Sequence, residues 1–431
     1  MTRGLYSFIL YLLSPLVVMY LAFRSIKSPD YRYRWGERFG VTRLSQSDVL
    51  IHSVSMGETL AAIPLIKNLM AAYPDSTFTI TTTSPTGSAE VAKAFSEQLG
   101  KRVQHCYLPF DFSVCVKRFL GQVQPKLFII METELWPNLV HYAKLSKARI
   151  VLANARLSAK SAAKYEKQSK LSTPMLTSLD AIAVQTKLEA ERFESLGVNP
   201  EKLVVCGSLK FDLQIDESKH QQAKTLRQQW QKIDVPVWVA GSVHPGEFEI
   251  MLKAHEQVLA EYPQALLIMA PRHPEQFNVA AVATTQHGLS LSRRSMNEAV
   301  TEQTQVLLGD TMGELLMLYG AADYAFIGGT LIENGGHNPL EPAAMGLPVS
   351  VGPHHWDFSE ITALLDQAGG LSVVEGADSL AKQLLLMFAD KQQHQLAAQA
   401  CLTVVSQNKG ALAQQLQLIE SQLQLSNCKE S

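Results

Sequence analysis

Residues 324–351 read YAFIGGTLIENGGHNPLEPAAMGLPVSV, and their punctuation decides the class of fold. The apolar run Tyr324 to Ile327 has the length of a buried strand and ends at a glycine pair. A polar, glycine-rich loop follows. Asn338 then stands where a helix N-cap belongs, with Pro339 at the first helical position and Glu341 three residues past the cap. Gly346 and Pro348 stop the helix, and Val349 to Val351 restart a strand. Strand, helix and strand in succession make a parallel unit with a crossover helix. The turn's bare backbone N–H groups are expected to hold an anion such as a phosphate.

The same alternation extends in both directions. Strands are expected at Val49 to His52, Phe78 to Thr82, Leu127 to Met131, Arg149 to Ala153, Ala181 to Val184 and Leu203 to Cys206. A polar Gln/Lys-rich piece, Asp212 to Lys232, interrupts it. It then restarts with Val237 to Ala240, Ala265 to Ala270 and Val306 to Leu308. Two α/β series of similar size predict two Rossmann-like domains with ligands beyond the C-terminal ends of the strands. The expected division is a 1–30 anchor, a 31–211 domain and a 212–431 linker and domain. A Gln-rich helix over Ala411 to Leu425 closes the last segment.

The chain has 431 residues, 46% apolar and 18% charged, with a net charge of −2. That balance is ordinary for a globular enzyme and argues against a nucleic-acid partner. Gly4 to Phe23 carries no charge and as one helix would span roughly 30 Å. The expectation is an uncleaved membrane anchor kinked at Pro15; a signal peptide and a core helix are the alternatives. Arg24, Lys27, Arg32, Arg34, Arg38 and Arg43 follow it, which puts the rest of the chain in the cytoplasm or offers a collar for lipid phosphates. Cys106, Cys115, Cys206, Cys401 and Cys428 form no C-x-x-C pair, fitting a reducing compartment and suggesting no disulfide framework or metal site.

Five constellations fall at expected strand ends. In HSVSMGET, Ser55 and Glu58 have capping-box spacing, so Glu58 is either a cap or a general base. In METELWPN, Glu132 follows its strand at once, while Glu134 reads as the first turn of the next helix. Lys210 in GSLKFD is a solvated lysine or a point charge for an anion. Arg272 in PRHPE, between prolines, has the fork a phosphate needs. In GDTMGEL, Thr311 and Glu314 have capping-box spacing around Gly313, a second helix N-terminus open to a ligand. His354-His355 and the His244–Glu247 spacing lack a complete metal ligand set.

Together HSVSMGETLAAIPL, METELWPNL, NARLSAKSAAKY, GSLKFD, PRHPE, GDTMGEL and GGHNPLEPAA stand in the order seen in bacterial 3-deoxy-D-manno-octulosonic acid (Kdo) transferases, which the chain resembles over nearly its whole length. The resemblance implies an α/β fold of the GT-B class, two Rossmann-like domains facing across a cleft, with an N-terminal transmembrane helix. It implies inverting transfer of Kdo from CMP-Kdo to a lipid A precursor at the inner membrane, without metal or other cofactor. It assigns Glu58 as general base and Glu132 and Lys210 as transition-state stabilisers. It places CMP against Pro271, Arg272, Met312, Gly313, Glu314, Asn338, Pro339, Leu340 and Glu341. A UDP-sugar-dependent lipid glycosyltransferase and a GT-B-type sugar-nucleotide epimerase are the competing functions.

Overall fold

The computed structural model describes residues 1–27, 29–213 and 215–427; Cys428 lies outside them, as does the side chain of Lys27. The chain divides into two units, Met1–Asp212 with Lys409–Ser431, and Leu213–Asn408.

The first unit holds seven strands: β1 (Val49–His52), β2 (Phe78–Thr82), β3 (Val103–Tyr107), β4 (Leu127–Met131), β5 (Arg149–Ala155), β6 (Ala181–Val184) and β7 (Leu203–Val205). All pair in parallel, in the order β3-β2-β1-β4-β5-β6-β7. β1 and β4 are buried along their whole length, which is why they read as continuous apolar runs. Apolar side chains cover both faces of the sheet, and strand order reverses direction at β1/β4, the switch point where ligands collect.

The second unit repeats the plan with β8 (Val237–Val243), β9 (Leu266–Pro271), β10 (Leu291–Arg293), β11 (Val306–Leu308), β12 (Tyr324–Ile327), β13 (Val349–Val351) and β14 (Leu371–Val373), in the order β10-β11-β9-β8-β12-β13-β14. Its switch point is β8/β12. Backbones there approach closely: a Cβ on Gly328 would lie 2.3 Å from the Ser242 carbonyl oxygen, so glycine is required.

Two expectations are corrected. Residues 411–425 do not belong with the second unit. Helix Ala411–Asn427 returns to the first, burying Ala411, Ile419 and Leu423 against Leu127 and Ile129. The Asp212 carboxylate accepts N–H bonds from Gly410 (2.6 Å) and Leu412 (2.5 Å) and fastens its start. The apolar stretch near the N-terminus is also not one helix. Helices α1 (Arg3–Leu12) and α2 (Ser14–Lys27) meet at 57°, because Pro15 has no N–H to continue the first ladder and suits the opening turn of the second. Among the described residues no single helix is long and apolar enough to cross a membrane, although the bent pair meets that test by length and composition. One face of α1 is tied to the first unit: Arg3 and Ser7 each donate to Asn138 Oδ1 at 3.0 Å, and Tyr11 accepts from the Val114 N–H. Its other face exposes Leu5, Phe8 and Leu12.

Candidate active site

In the first unit, charged side chains collect at the C-terminal ends of β1, β4, β5 and β7. β1 ends in a loop and helix Met56–Ala72 begins, with a complete capping box at its start. Glu58 Oε1 accepts from the Ser55 hydroxyl (2.8 Å) and N–H (3.3 Å), and Oε2 accepts from the Val54 N–H (2.8 Å). The capping role is therefore real. It also aims the carboxylate: three donors hold it in one rotamer and leave one lone pair of Oε2 open.

Glu132 follows β4 with φ +54°, a left-handed conformation that costs an L residue about 1 kcal/mol or more. Its N–H donates to the Ala153 carbonyl at 2.9 Å, so the strand pairing holds the strain in place. Burial raises the Glu132 pKa; the Lys210 and Arg156 charges oppose that rise and Glu58 adds to it. Sequence reading assigned Glu134 to the start of the next helix, yet helix Pro137–Leu145 begins three residues later. Glu134 instead joins the cluster: burial first, then the Glu58 and Glu132 charges, push its pKa up to about 7. Lys210 lies on the 3-10 turn Leu209–Phe211 after β7. That turn is positioned by Asn154, whose Oδ1 accepts from the Leu209 N–H at 3.0 Å. Asn154 is itself left-handed, at a bulge in β5, and its amide nitrogen is buried without a partner among the described residues. Asn154 and Arg156 were not singled out from sequence, and Glu134 was named only as a helix residue. The left-handed backbone that marks the first strand end is invisible in a string of residue types.

In the second unit, Pro271 is the last residue of β9 and Arg272 follows it. The Arg272 N–H is bonded to the Val243 carbonyl, and its guanidinium makes no ion pair among the described residues. Its charge is felt by Glu341, whose mostly buried carboxyl is raised by burial and lowered by the Asn338 hydrogen bond and by Arg272. Asn338 Oδ1 accepts from the Leu340 N–H at 3.1 Å, and the helical turn runs Leu340–Ala344 with Pro339 as its cap. Leu340 is fully buried, so its side chain serves the core and only its backbone is near the loop.

At the strand end of the glycine-rich loop the N–H groups are not bare. Glu247, with no solvent exposure, takes them: Oε2 accepts from His244 (2.9 Å) and Gly329 (2.8 Å), and Oε1 from Thr330 and Leu331 (both 3.1 Å). A carboxylate of the chain itself thus fastens the first residues after β12, short of the Asn338–Glu341 turn. The second expected helix start also differs. Helix Leu315–Gly320 begins after Glu314, leaving Met312, exposed, and Gly313, at φ +84°, in the preceding bend. Thr311 donates to the Glu314 carboxylate instead of capping, and Arg294 grips that carboxylate with Nε (3.1 Å) and Nη2 (3.0 Å).

Beside Arg272 lies a histidine pair, of which sequence reading weighed His244 as a metal ligand and did not single out His337. The rings of His244 and His337 are parallel within 3°, with centroids 5.1 Å and Nε2 atoms 2.8 Å apart. Those distances place them edge to edge across one N–H···N bond, not face to face. Burial, then the neighbouring His244 and Arg272 charges, lower the His337 pKa to about 4, so the pair is neutral near neutral pH. Among the described residues no three His, Cys, Asp or Glu side chains gather as a metal site would need.

The family model for 3-Deoxy-D-manno-octulosonic-acid transferase (kdotransferase) matches residues 33–213. A 3-deoxy-D-manno-octulosonic acid transferase from Haemophilus influenzae is 42% identical over 429 residues, covering 98% of this chain and 99% of that one. One from Bordetella pertussis is 31% identical, covering 98% and 100%. In fold alone, the chain is similar to the UDP-GlcNAc 2-epimerase from Neisseria meningitidis bound to UDP-GlcNAc, at 12% identity and TM-score 0.56, covering 87% of this chain and 99% of that one. With 42% and 31% identity to two such enzymes across nearly their whole length, the chain belongs to the 3-deoxy-D-manno-octulosonic acid transferase family and is a glycosyltransferase.

Proposed function

We propose that the protein transfers Kdo from CMP-Kdo to a hydroxyl of a lipid A precursor, lipid IVA, in lipopolysaccharide biosynthesis, with inversion and without a metal ion. The observation that carries this reading is the cluster of Glu58, Glu132, Glu134 and Lys210 at the strand ends of the first unit. The acceptor oxygen attacks the anomeric carbon as the bond from that carbon to the phosphate oxygen breaks. CMP leaves with the electron pair, and the hydroxyl proton passes to the open lone pair of Glu58. The anomeric carbon gains positive character on the way, which a buried carboxylate such as Glu132 stabilises. The Lys210 charge favours the ionised form of Glu132 and so opposes the rise in its pKa that burial causes.

In the second unit the reading assigns the CMP phosphate to Arg272, the one cation of its strand-end loops that no carboxylate of the described residues has claimed by ion pair. Asn338, Glu341 and the Met312–Glu314 bend then hold the rest of the nucleotide. A monoester phosphate leaving group needs one such cation where a diphosphate commonly takes a divalent ion. The lipid acceptor accounts for the exposed apolar face of α1 and α2, read here as an attachment to the cytoplasmic side of the inner membrane.

Mass spectrometry of the lipid formed by purified protein, CMP-Kdo and lipid IVA tests the proposal. The expected product is heavier by one or more Kdo residues, with CMP released and the rate unchanged by EDTA. A lipid of unchanged mass refutes it. Turnover of a UDP-sugar without lipid would favour the epimerase alternative.

A further inference from the structure

A cavity of about 360 Å³ lies in the first unit between α2 and the loops at the ends of the strands. Its rim is exposed and carries Tyr20, Arg24 and Trp136; Leu21, Leu108 and Phe110 make it apolar inside. Two more of its wall residues, Val54 and Ser55, are those that bond the Glu58 carboxylate. Arg38 lines it too, and this residue is out of place for a structural cation.

Arg38 is only 4% exposed, and no carboxylate pairs with it among the described residues. Its neighbour Glu37 is taken by Arg34 (2.8 Å) and by the Tyr107 N–H (2.7 Å). The guanidinium lies over the Tyr107 ring (4.0 Å) and near Tyr31 (5.4 Å), and Nη2 donates to the Thr83 carbonyl. Nε is buried with no partner. A guanidinium that is buried, uncompensated and one bond short costs several kcal/mol unless an anion completes it. Arg24 stands on the other side of Tyr31, 4.5 Å from its ring. The one carboxylate in the wall, Asp111, is spent on the chain itself: its oxygens accept the Asn138 and Leu139 N–H groups.

We propose that this cavity binds the phosphate monoester of an amphiphile, with Arg38 at the base, Arg24 at the rim and the apolar wall taking the first part of the chain. The inference rests on the reading of a lipid acceptor and deepens it: the phosphate would fix the acceptor beside the loop that aims Glu58. It also sorts the basic collar. Arg34 is bound to Glu37 and Arg32 to the Ser25 carbonyl, whereas Arg24 and Arg38 line the cavity.

The test uses the full chain and dodecyl phosphate below its micelle concentration, followed by tryptophan fluorescence and calorimetry, with dodecanol and inorganic phosphate as separate probes. Dodecyl phosphate is expected to bind at least tenfold tighter than either. Arg24→Gln, at an exposed position that folding does not need, is expected to weaken it about tenfold to a hundredfold, the worth of one charge-assisted bond. Arg38→Lys tests the base and is expected to weaken it likewise. Equal binding of dodecanol reduces the cavity to an apolar groove, equal binding of inorganic phosphate makes it a soluble-anion site, and wild-type affinity in both variants removes the arginines; each overturns the proposal. Kdo transfer to lipid IVA is measured alongside. Transfer intact with no dodecyl phosphate binding sinks this inference alone, while no transfer in wild type sinks the function.

Discussion

Replacing Glu247 by Gln changes one oxygen for an NH2 group at a site with no solvent. Each carboxylate oxygen now takes two backbone N–H groups, at 2.8–2.9 Å on Oε2 and 3.1 Å on Oε1. Whichever oxygen is lost, two N–H groups lose their acceptor and meet a donor instead. Bonds to a charged acceptor contribute about 1.5–3 kcal/mol each, so the gross loss is about 3–6 kcal/mol. The variant also sheds a buried charge, and burial does raise the pKa of this carboxyl. That relief offsets part of the loss, leaving a net destabilisation of about 2–4 kcal/mol. For a unit of this size the melting temperature should fall by about 5–15 °C. Differential scanning calorimetry reads that shift, and amide exchange at residues 329–331 should rise with it. The loop that leads to Asn338 would loosen, so donor affinity should fall too. A melting temperature within 1 °C of wild type would refute the view that this carboxylate holds the loop.

Other outcomes follow from the same structure. Glu58→Gln should cut turnover by about 10²–10⁴ while CMP binding persists, and the damaged capping box should cost only about 1 kcal/mol; steady-state kinetics and calorimetry separate the two. Arg272→Gln should instead weaken CMP binding by about ten- to a hundredfold, read by titration with CMP. Glu134 has its folded pKa raised from 4.5 to about 7, so the unfolded chain releases this proton first on raising the pH. Its stabilising effect is complete below about pH 4.5 and is lost as pH climbs to 7. The shift corresponds to at most about 3.4 kcal/mol, about 1–2 after solvent screening. Urea unfolding across that window should show wild type losing stability relative to Glu134→Gln as pH rises; a constant difference would count against the cluster. Gly241→Ala places a Cβ 2.1 Å from the buried Tyr319 hydroxyl, and should cost about 3 kcal/mol by thermal melting.

The central strands of both sheets were legible because they are apolar from end to end. β3, β10 and β14 were not, and each lies at a sheet edge. Half-solvated edge strands such as Leu291–Arg293 need no continuous apolar run and carry no strong period. Glu58, Glu132, Lys210 and Arg272 could be named because strand-end position shows in sequence. The occupant of the glycine loop could not, since Glu247 is 82 positions from Gly329. Glu134 was misplaced for a similar reason: a carboxylate next to Trp136-Pro137 looks like a helix start until the left-handed turn at Glu132 moves that start along the chain. In the apolar stretch near the N-terminus Pro15 was legible as the place of the bend, but its 57° angle was not.

The return of helix Ala411–Asn427 bears on the order of synthesis. The second unit is an insertion within the first, complete once Asn408 has been made. The first unit then still lacks the side chains of Ala411, Ile419 and Leu423 from its core, and Gln415 from the N–H of Asn154. Chains generally fold from the N-terminus as they emerge, but here the earlier-made unit is the later one finished. The Asn154 contact that positions the Lys210 turn waits for the same closing helix. A chain cut short by premature termination therefore completes its second unit and leaves the Lys210 turn without the helix that fastens it.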